Sequence, residues 1–93
     1  MKKKEKEQYI IPENTGEFDL KREQEKVKFC LMRDFVKLRK SKGITQEELS
    51  NITGIARPNI ARIENGSYNP TIDMCVRLAA GLGMKLEISW TDL

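Results

Sequence analysis

The sequence predicts a mainly α fold with a long N-terminal helix, several short helices and one C-terminal strand. Three observations carry that expectation. Apolar residues recur at helical spacing from Val27 to Leu38. Gly43, Gly54 and Asn65-Gly66 cut the middle of the chain into short helices. Met84 to Trp90 alternates, with an apolar residue at every even position. A lone strand has no partner in its own chain, so the alternation calls for the same strand of a second copy across a two-fold axis. At 93 residues the chain holds one small domain. Domains of this size bury a modest share of their surface and are often completed by an oligomer interface.

Three segments follow from this pattern. Residues 1–18 are a flexible or partner-binding N-terminal segment, 19–83 the helical domain, and 84–93 the dimerisation strand. Met1 to Gln8 is a mixed-charge run. Tyr9-Ile10-Ile11-Pro12 is an apolar island in which Pro12 disfavours helix at Ile11, and Asn14-Thr15-Gly16 is turn chemistry. The island has two readings, a partner contact or a segment folded back on its own domain.

The long helix is expected from about Leu20 to Lys42, with Asp19 as its cap and Gly43 as its stop. Val27, Leu31, Phe35 and Leu38 form one apolar stripe on it, and Phe29, Met32 and Val36 a second. One stripe docks the helix on its own domain; the other requires a further surface. Thr45-Gln46-Glu47-Glu48 has the form of a capping box opening a helix whose apolar residues are Leu49 and Ile52. After Gly54 a helix from about Arg57 to Glu64 is expected, because Pro58 fits only a first turn. Its inward residues are Ile60 and Ile63; Arg57, Pro58, Asn59, Ala61 and Arg62 face outward. Thr71 caps a helix to about Leu82, with Ile72, Cys75, Leu78, Ala79 and Leu82 on its buried side, and Gly81 and Gly83 weaken its end.

Composition excludes several functions. The chain is 33% charged and 39% apolar, with a net charge of +3 at pH 7. Arg33, Lys37, Arg39, Lys40 and Lys42 nevertheless stand against a single acid, Asp34, in ten residues, which reads as a phosphate-facing helix or as an ordinary solvated face. Two cysteines, Cys30 and Cys75, and no histidine argue against a zinc site; both read as core thiols of a reducing cytoplasm. No apolar run approaches a membrane span, and Met1-Lys2-Lys3-Lys4 leads into Glu5-Lys6-Glu7, not into an apolar leader segment. A cytoplasmic protein without membrane contact is expected. With no histidine, no Gly-rich phosphate loop and no nucleophile beside a visible base, no enzyme, cofactor, metal or small-molecule ligand is expected.

The functional signal lies in the middle. Two short helices joined by a tight Gly turn must cross steeply, and small Ser50 at the crossing lets their backbones approach. The second helix then projects far enough to enter a DNA major groove. Leu38-Arg39-Lys40-Ser41-Lys42-Gly43-Ile44-Thr45-Gln46-Glu47-Glu48-Leu49 and Gly54-Ile55-Ala56-Arg57-Pro58-Asn59-Ile60-Ala61-Arg62-Ile63-Glu64-Asn65-Gly66 together resemble the Cro/repressor (Xre-type) helix-turn-helix family. The resemblance covers about Leu31 to Leu82 and implies a five-helix, lambda-repressor-like domain that binds operator DNA as a homodimer. It implies base reading at Arg57, Pro58 and Arg62, with Asn59 and Ala61 on the same face, although many relatives carry a polar residue where Pro58 stands. It implies a phosphate contact at Gln46; Lys40, Lys42, Asn65, Ser67 and Tyr68 are placed to add others. It also implies an internal salt bridge between Arg39 and Glu64.

The long charged N-terminal helix, Pro58 and the closing Leu-Gly-Met-Lys-Leu-Glu-Ile run resemble HigA-type antitoxins. That resemblance implies repression of the protein's own operon and a bound HigB toxin, a RelE-like ribonuclease. Tyr9, Ile10, Ile11, Phe29, Met32 and Val36 are the apolar anchors for such a toxin, and Leu86, Ile88 and Trp90 those for the dimer. Glu13, Glu17, Asp19, Glu23 and Glu25 supply carboxylates for a basic partner, or form a solvated face with the neighbouring lysines. Two alternatives stand beside this reading: a free-standing Xre-type repressor without a toxin, and an adaptor whose helix-turn-helix binds protein.

Overall fold

The computed structural model describes residues 18–92. The Tyr9-Ile10-Ile11 island lies outside the described residues. Four helices follow one another: α1 (Leu20–Ser41), α2 (Gln46–Thr53), α3 (Arg57–Glu64) and α4 (Ile72–Gly81). Each start is set by local chemistry. Asp19 accepts from the Arg22 amide at 3.2 Å, and Thr71 accepts from the Met74 amide at 3.1 Å. At α2 the capping box is complete: Thr45 Oγ1 accepts from the Glu48 amide at 3.0 Å, and Glu48 Oε1 from the Thr45 amide at 2.8 Å.

The core is small. Phe35 of α1, Leu49 of α2, Ile55 of the turn, Ile60 and Ile63 of α3, and Leu78 and Leu82 around the end of α4 are buried together, with Ile44 and Met74 packed against them. Phe35 is the one apolar side chain that α1 buries fully. Val27, Leu31 and Leu38, expected on its docking stripe, remain exposed. The helix is long, 22 residues spanning about 33 Å, so its first half, with Val27, extends past the core at Phe35; Leu31 and Leu38, each 36% exposed, flank Phe35 at the edge of that core and line a groove beside it. Of the second stripe, Phe29 is exposed, with the Arg33 guanidinium 5.8 Å over its ring. Met32 and Val36 are half-buried.

Two expectations are corrected. The count is four helices among the described residues, not five, and residues 84–92 form no strand. Both corrections have one cause. The period-2 pattern after Gly83 does not suit a fifth helix, and a strand requires a hydrogen-bonding neighbour that no described segment provides. The segment leaves α4 with the Met84 amide bonded to the Ala79 carbonyl at 2.8 Å. Leu86 is half-buried, while Ile88 and Trp90 are exposed. Ile72 is also corrected. It stands 67% exposed on α4, not on the buried side.

Gly81 has a packing role that its position at a helix end conceals. A Cβ there would lie 2.6 Å from Thr53 Cγ2 and 2.9 Å from Leu49 Cδ1. Neither atom can retreat easily. Leu49 is fully buried, and the Thr53 hydroxyl is held at both ends, donating to the Leu49 carbonyl at 2.8 Å and accepting from the Ile55 amide at 3.2 Å. Gly81→Ala, which would stabilise an isolated helix, should therefore destabilise this domain by about 1–3 kcal/mol, read as a lower urea midpoint. An unchanged or higher midpoint would show that α4 is free to shift away from α2.

Cys30 and Cys75 are free thiols, both half-buried. Burial pushes the Cys75 thiol above its ordinary value, which keeps it protonated and slow to react.

Candidate nucleic-acid interface

The turn between α2 and α3 is built by Gly54, in the left-handed region at φ 79°, whose amide bonds the Ser50 carbonyl at 2.8 Å. It delivers the chain to α3, which starts at Arg57 with Pro58 in its first turn. Ile60 and Ile63 lock one face of α3 into the core. The helical period then leaves Arg57, Pro58 and Arg62 exposed on the opposite face, with Asn59 and Ala61 half-buried beside them. Arg62 Nη1 donates to Asn59 Oδ1 at 2.9 Å, one turn back, so its guanidinium is braced along the helix.

Behind this face lies a buried polar network. Arg39 Nε donates to Glu64 Oε2 at 2.6 Å and Nη2 to Glu64 Oε1 at 3.0 Å, a two-point ion pair in which each side chain is only 10% exposed. Arg39 Nη1 donates to the Ile44 carbonyl at 2.9 Å, and Gln46 Nε2 completes the set on Glu64 Oε1 at 2.9 Å. No buried side-chain polar atom among the described residues lacks a partner. The hydrogen bonds to Glu64, opposed by desolvation and aided by the carboxylate's charge, hold the Arg39 guanidinium above its ordinary value. The network ties the end of α1, the following turn, the first residue of α2 and the last of α3. It sets the angle at which α3 stands out.

The residues expected on phosphate divide into two groups. Lys40 and Lys42 are exposed, as are Lys37 and Arg33, the last paired with Asp34 at 3.2 Å. Arg39 is withdrawn from that basic stretch, being internal. Gln46 is half-buried, its amide committed to Glu64, and Glu47 and Glu48 already occupy the positive first turn of α2. Asn65 Oδ1 accepts from both the amide and the hydroxyl of Ser67, at 2.9 and 2.7 Å, which shapes the loop after α3. The Tyr68 hydroxyl donates to Met74 Sδ at 3.7 Å. Lys40, Lys42, Asn65, Ser67 and Tyr68 are all exposed. What sequence reasoning missed is the commitment of Gln46 to Glu64 and the pinning of Thr53. The first has no signal in spacing, because it depends on how α2 meets α3, whereas the second is local, made with Leu49 and Ile55.

A family model for helix-turn-helix domains matches residues 36–88. The chain belongs to the Xre-type helix-turn-helix family. Among its relatives is an HTH-type transcriptional regulator of Haemophilus influenzae, 36% identical over 62 residues, which cover 67% of this chain and 63% of that protein. Another, from Methanothermobacter thermautotrophicus, is 42% identical over 45 residues, covering 48% of this chain and 65% of the relative. The chain thus spans somewhat under two thirds of the length of these relatives. A third, from Bacillus subtilis, is 33% identical over 56 residues, covering 59% of this chain and 85% of the relative. Among solved structures, a toxin–antitoxin module from Streptococcus pneumoniae superposes with a TM-score of 0.59 at 29% identity, covering 73% of this chain and 76% of that one. No helix of the described residues is long and apolar enough to cross a membrane, and they contain no cluster of metal-ligating side chains.

Proposed function

We propose that this helix-turn-helix protein is an antitoxin that binds operator DNA as a homodimer, represses its own operon and holds a HigB/RelE-like ribonuclease toxin. The single observation that carries DNA binding is the α3 face. Arg57, Pro58 and Arg62 are exposed on a helix whose other side is fixed by Ile60, Ile63 and the Arg39–Glu64 pair. A guanidinium presented in this way is suited to the two acceptors of guanine in the major groove. Lys40, Lys42 and the polar loop Asn65 to Tyr68 flank the helix and are placed to meet phosphate. The antitoxin reading draws support from the toxin–antitoxin neighbour and from the first half of α1, where Val27 and Phe29 lie 57% and 55% exposed. Apolar side chains at that exposure on a helix suit a partner groove. Met32 and Val36, half-buried against the domain, contribute less to such a surface than Phe29 does.

The test has two arms. Fluorescence anisotropy on the DNA upstream of the protein's own gene should show binding at least 100-fold tighter than to a scrambled duplex. In parallel, a C-terminally tagged chain isolated from its host should carry a stoichiometric small basic protein, lost in Phe29→Asp. Because Phe29 is exposed, that variant leaves the core intact. Sequence-selective binding without a partner would point to a free-standing repressor, and no selectivity at low salt to an adaptor. Lys40→Ala with Lys42→Ala should weaken binding to all sequences alike and flatten the salt dependence by one to two in log–log slope. An unaltered slope would remove these lysines from the interface.

A further inference from the structure

The exposed face of α4 has no role in the reading above. Ile72, Val76 and Ala80 recur every four residues on it. Ile72 is 67% exposed and Val76 50%, and Ala80 is exposed as well. At 100° per residue these three fall within one 80° sector. Cys75 and Ala79 lie on one flank of the sector, and both line an apolar groove of about 300 Å³ whose other walls include Leu31, Leu38, Met84 and Leu86. Stripe and groove therefore form one apolar surface running from α4 to α1 and the C-terminal segment. A continuous surface of this kind on a small domain marks an interface.

The other flank says what covers it. Asp73 and Arg77 stand there, one turn apart, and neither is ion-paired among the described residues. When two copies of one helix pack antiparallel about a two-fold axis, the same flank of each meets the other in reverse order. With the axis near Val76, Val76 meets its own counterpart and Ile72 meets the small Ala80. Asp73 then faces Arg77 in both halves of the interface. Stripe and charges share one centre to within a residue, so the face is complementary to itself.

We infer that the exposed face of α4 is the homodimer contact, two copies of this helix packing antiparallel around Val76 with reciprocal Asp73–Arg77 pairs. The inference deepens the dimer part of the proposed function and rests on it. It places the two-fold axis on a helix, with the C-terminal segment at the margin.

Charge reversal tests this without touching the core. Sedimentation velocity over a range of concentrations should show a dimer for the full chain. Asp73→Arg alone sets arginine against arginine, and Arg77→Asp alone sets aspartate against aspartate; each should raise the dimer Kd at least tenfold. The double variant Asp73→Arg with Arg77→Asp should restore dimerisation to within about threefold. Val76→Arg should leave a folded monomer by circular dichroism. A dimer indifferent to Val76→Arg and to both single reversals overturns the inference while leaving the dimeric repressor standing. A full chain that stays monomeric at every concentration, free and on operator DNA, overturns both. Single reversals that weaken the dimer without rescue by the double variant overturn the reciprocal pairing.

Discussion

Glu64→Ala should lower the melting temperature by more than about 12 °C, followed by circular dichroism at 222 nm. Removing one partner of a buried pair leaves the other charge without compensation, at about 3 kcal/mol or more. In a domain of this size each kcal/mol corresponds to about 4 °C or more. The structure adds a reason for the upper part of that range. Glu64 also receives Gln46, so its loss removes the two Arg39 contacts and the Gln46 contact together. Arg39 keeps only the Ile44 carbonyl. Replacing the pair together, Arg39→Met with Glu64→Leu, should cost much less, because it removes both the attraction and the need for it. The double variant is informative for function as well. If the network does no more than hold α3 at its angle, the apolar pair should retain DNA binding wherever it retains the fold. Single and double variants of equal stability would mean that Arg39 finds water once Glu64 is gone.

Arg57→Ala and Arg62→Ala should each reduce affinity for the operator by about 5- to 150-fold, equivalent to 1–3 kcal/mol per two-point contact with guanine. The loss should fall on the operator and spare scrambled DNA, so that selectivity drops with affinity. That pattern separates base reading from phosphate contact, which weakens every sequence equally. The two arginines are not equivalent in the free protein. Arg62 is braced by Asn59, whereas Arg57 makes no hydrogen bond through its side chain among the described residues. Asn59→Ala should accordingly reproduce a part of the Arg62 effect and none of the Arg57 effect. Equal losses on operator and scrambled duplex for both arginines would return these residues to the phosphate backbone and leave base selection to other positions.

How much of this molecule can be read without coordinates depends on how far each signal reaches along the chain. The capping box at Thr45 and Glu48 needs four consecutive residues, and the structure holds it as the pattern implies. The α2–turn–α3 unit is equally local, since Gly54 and Pro58 dictate where one helix stops and the next can begin. The inward position of Ile60 and Ile63 follows from the helical period, and the outward position of Arg57 and Arg62 follows from it in turn. Burial along α1 and α4 is different. The stripe Val27, Leu31, Phe35 and Leu38 is uniform by period, yet only Phe35 is buried, because the period records which residues share a face and not how much of that face the neighbouring helices cover. Ile72 fails as a core residue for the same reason. It shares a helix with Leu78, but the rest of the domain lies on the Leu78 side of the axis.

The chain by itself determined the helix boundaries, the family to which it belongs and the identity of the side chains presented by α3, because caps, turn glycines and a two-turn helical period are properties of contiguous residues. The tertiary structure alone decided that Gln46 bonds Glu64, that Gly81 of α4 lies close against Leu49 and Thr53 of α2, and that Met84 to Trp90 pairs with no strand among the described residues. Each of these depends on residues 18 or more apart meeting in space, or on the absence of a neighbour. It also left Ile72, Val76, Asp73 and Arg77 together on an open face. Helical spacing records that those residues share a side; only packing reveals that this side is left exposed by the described residues.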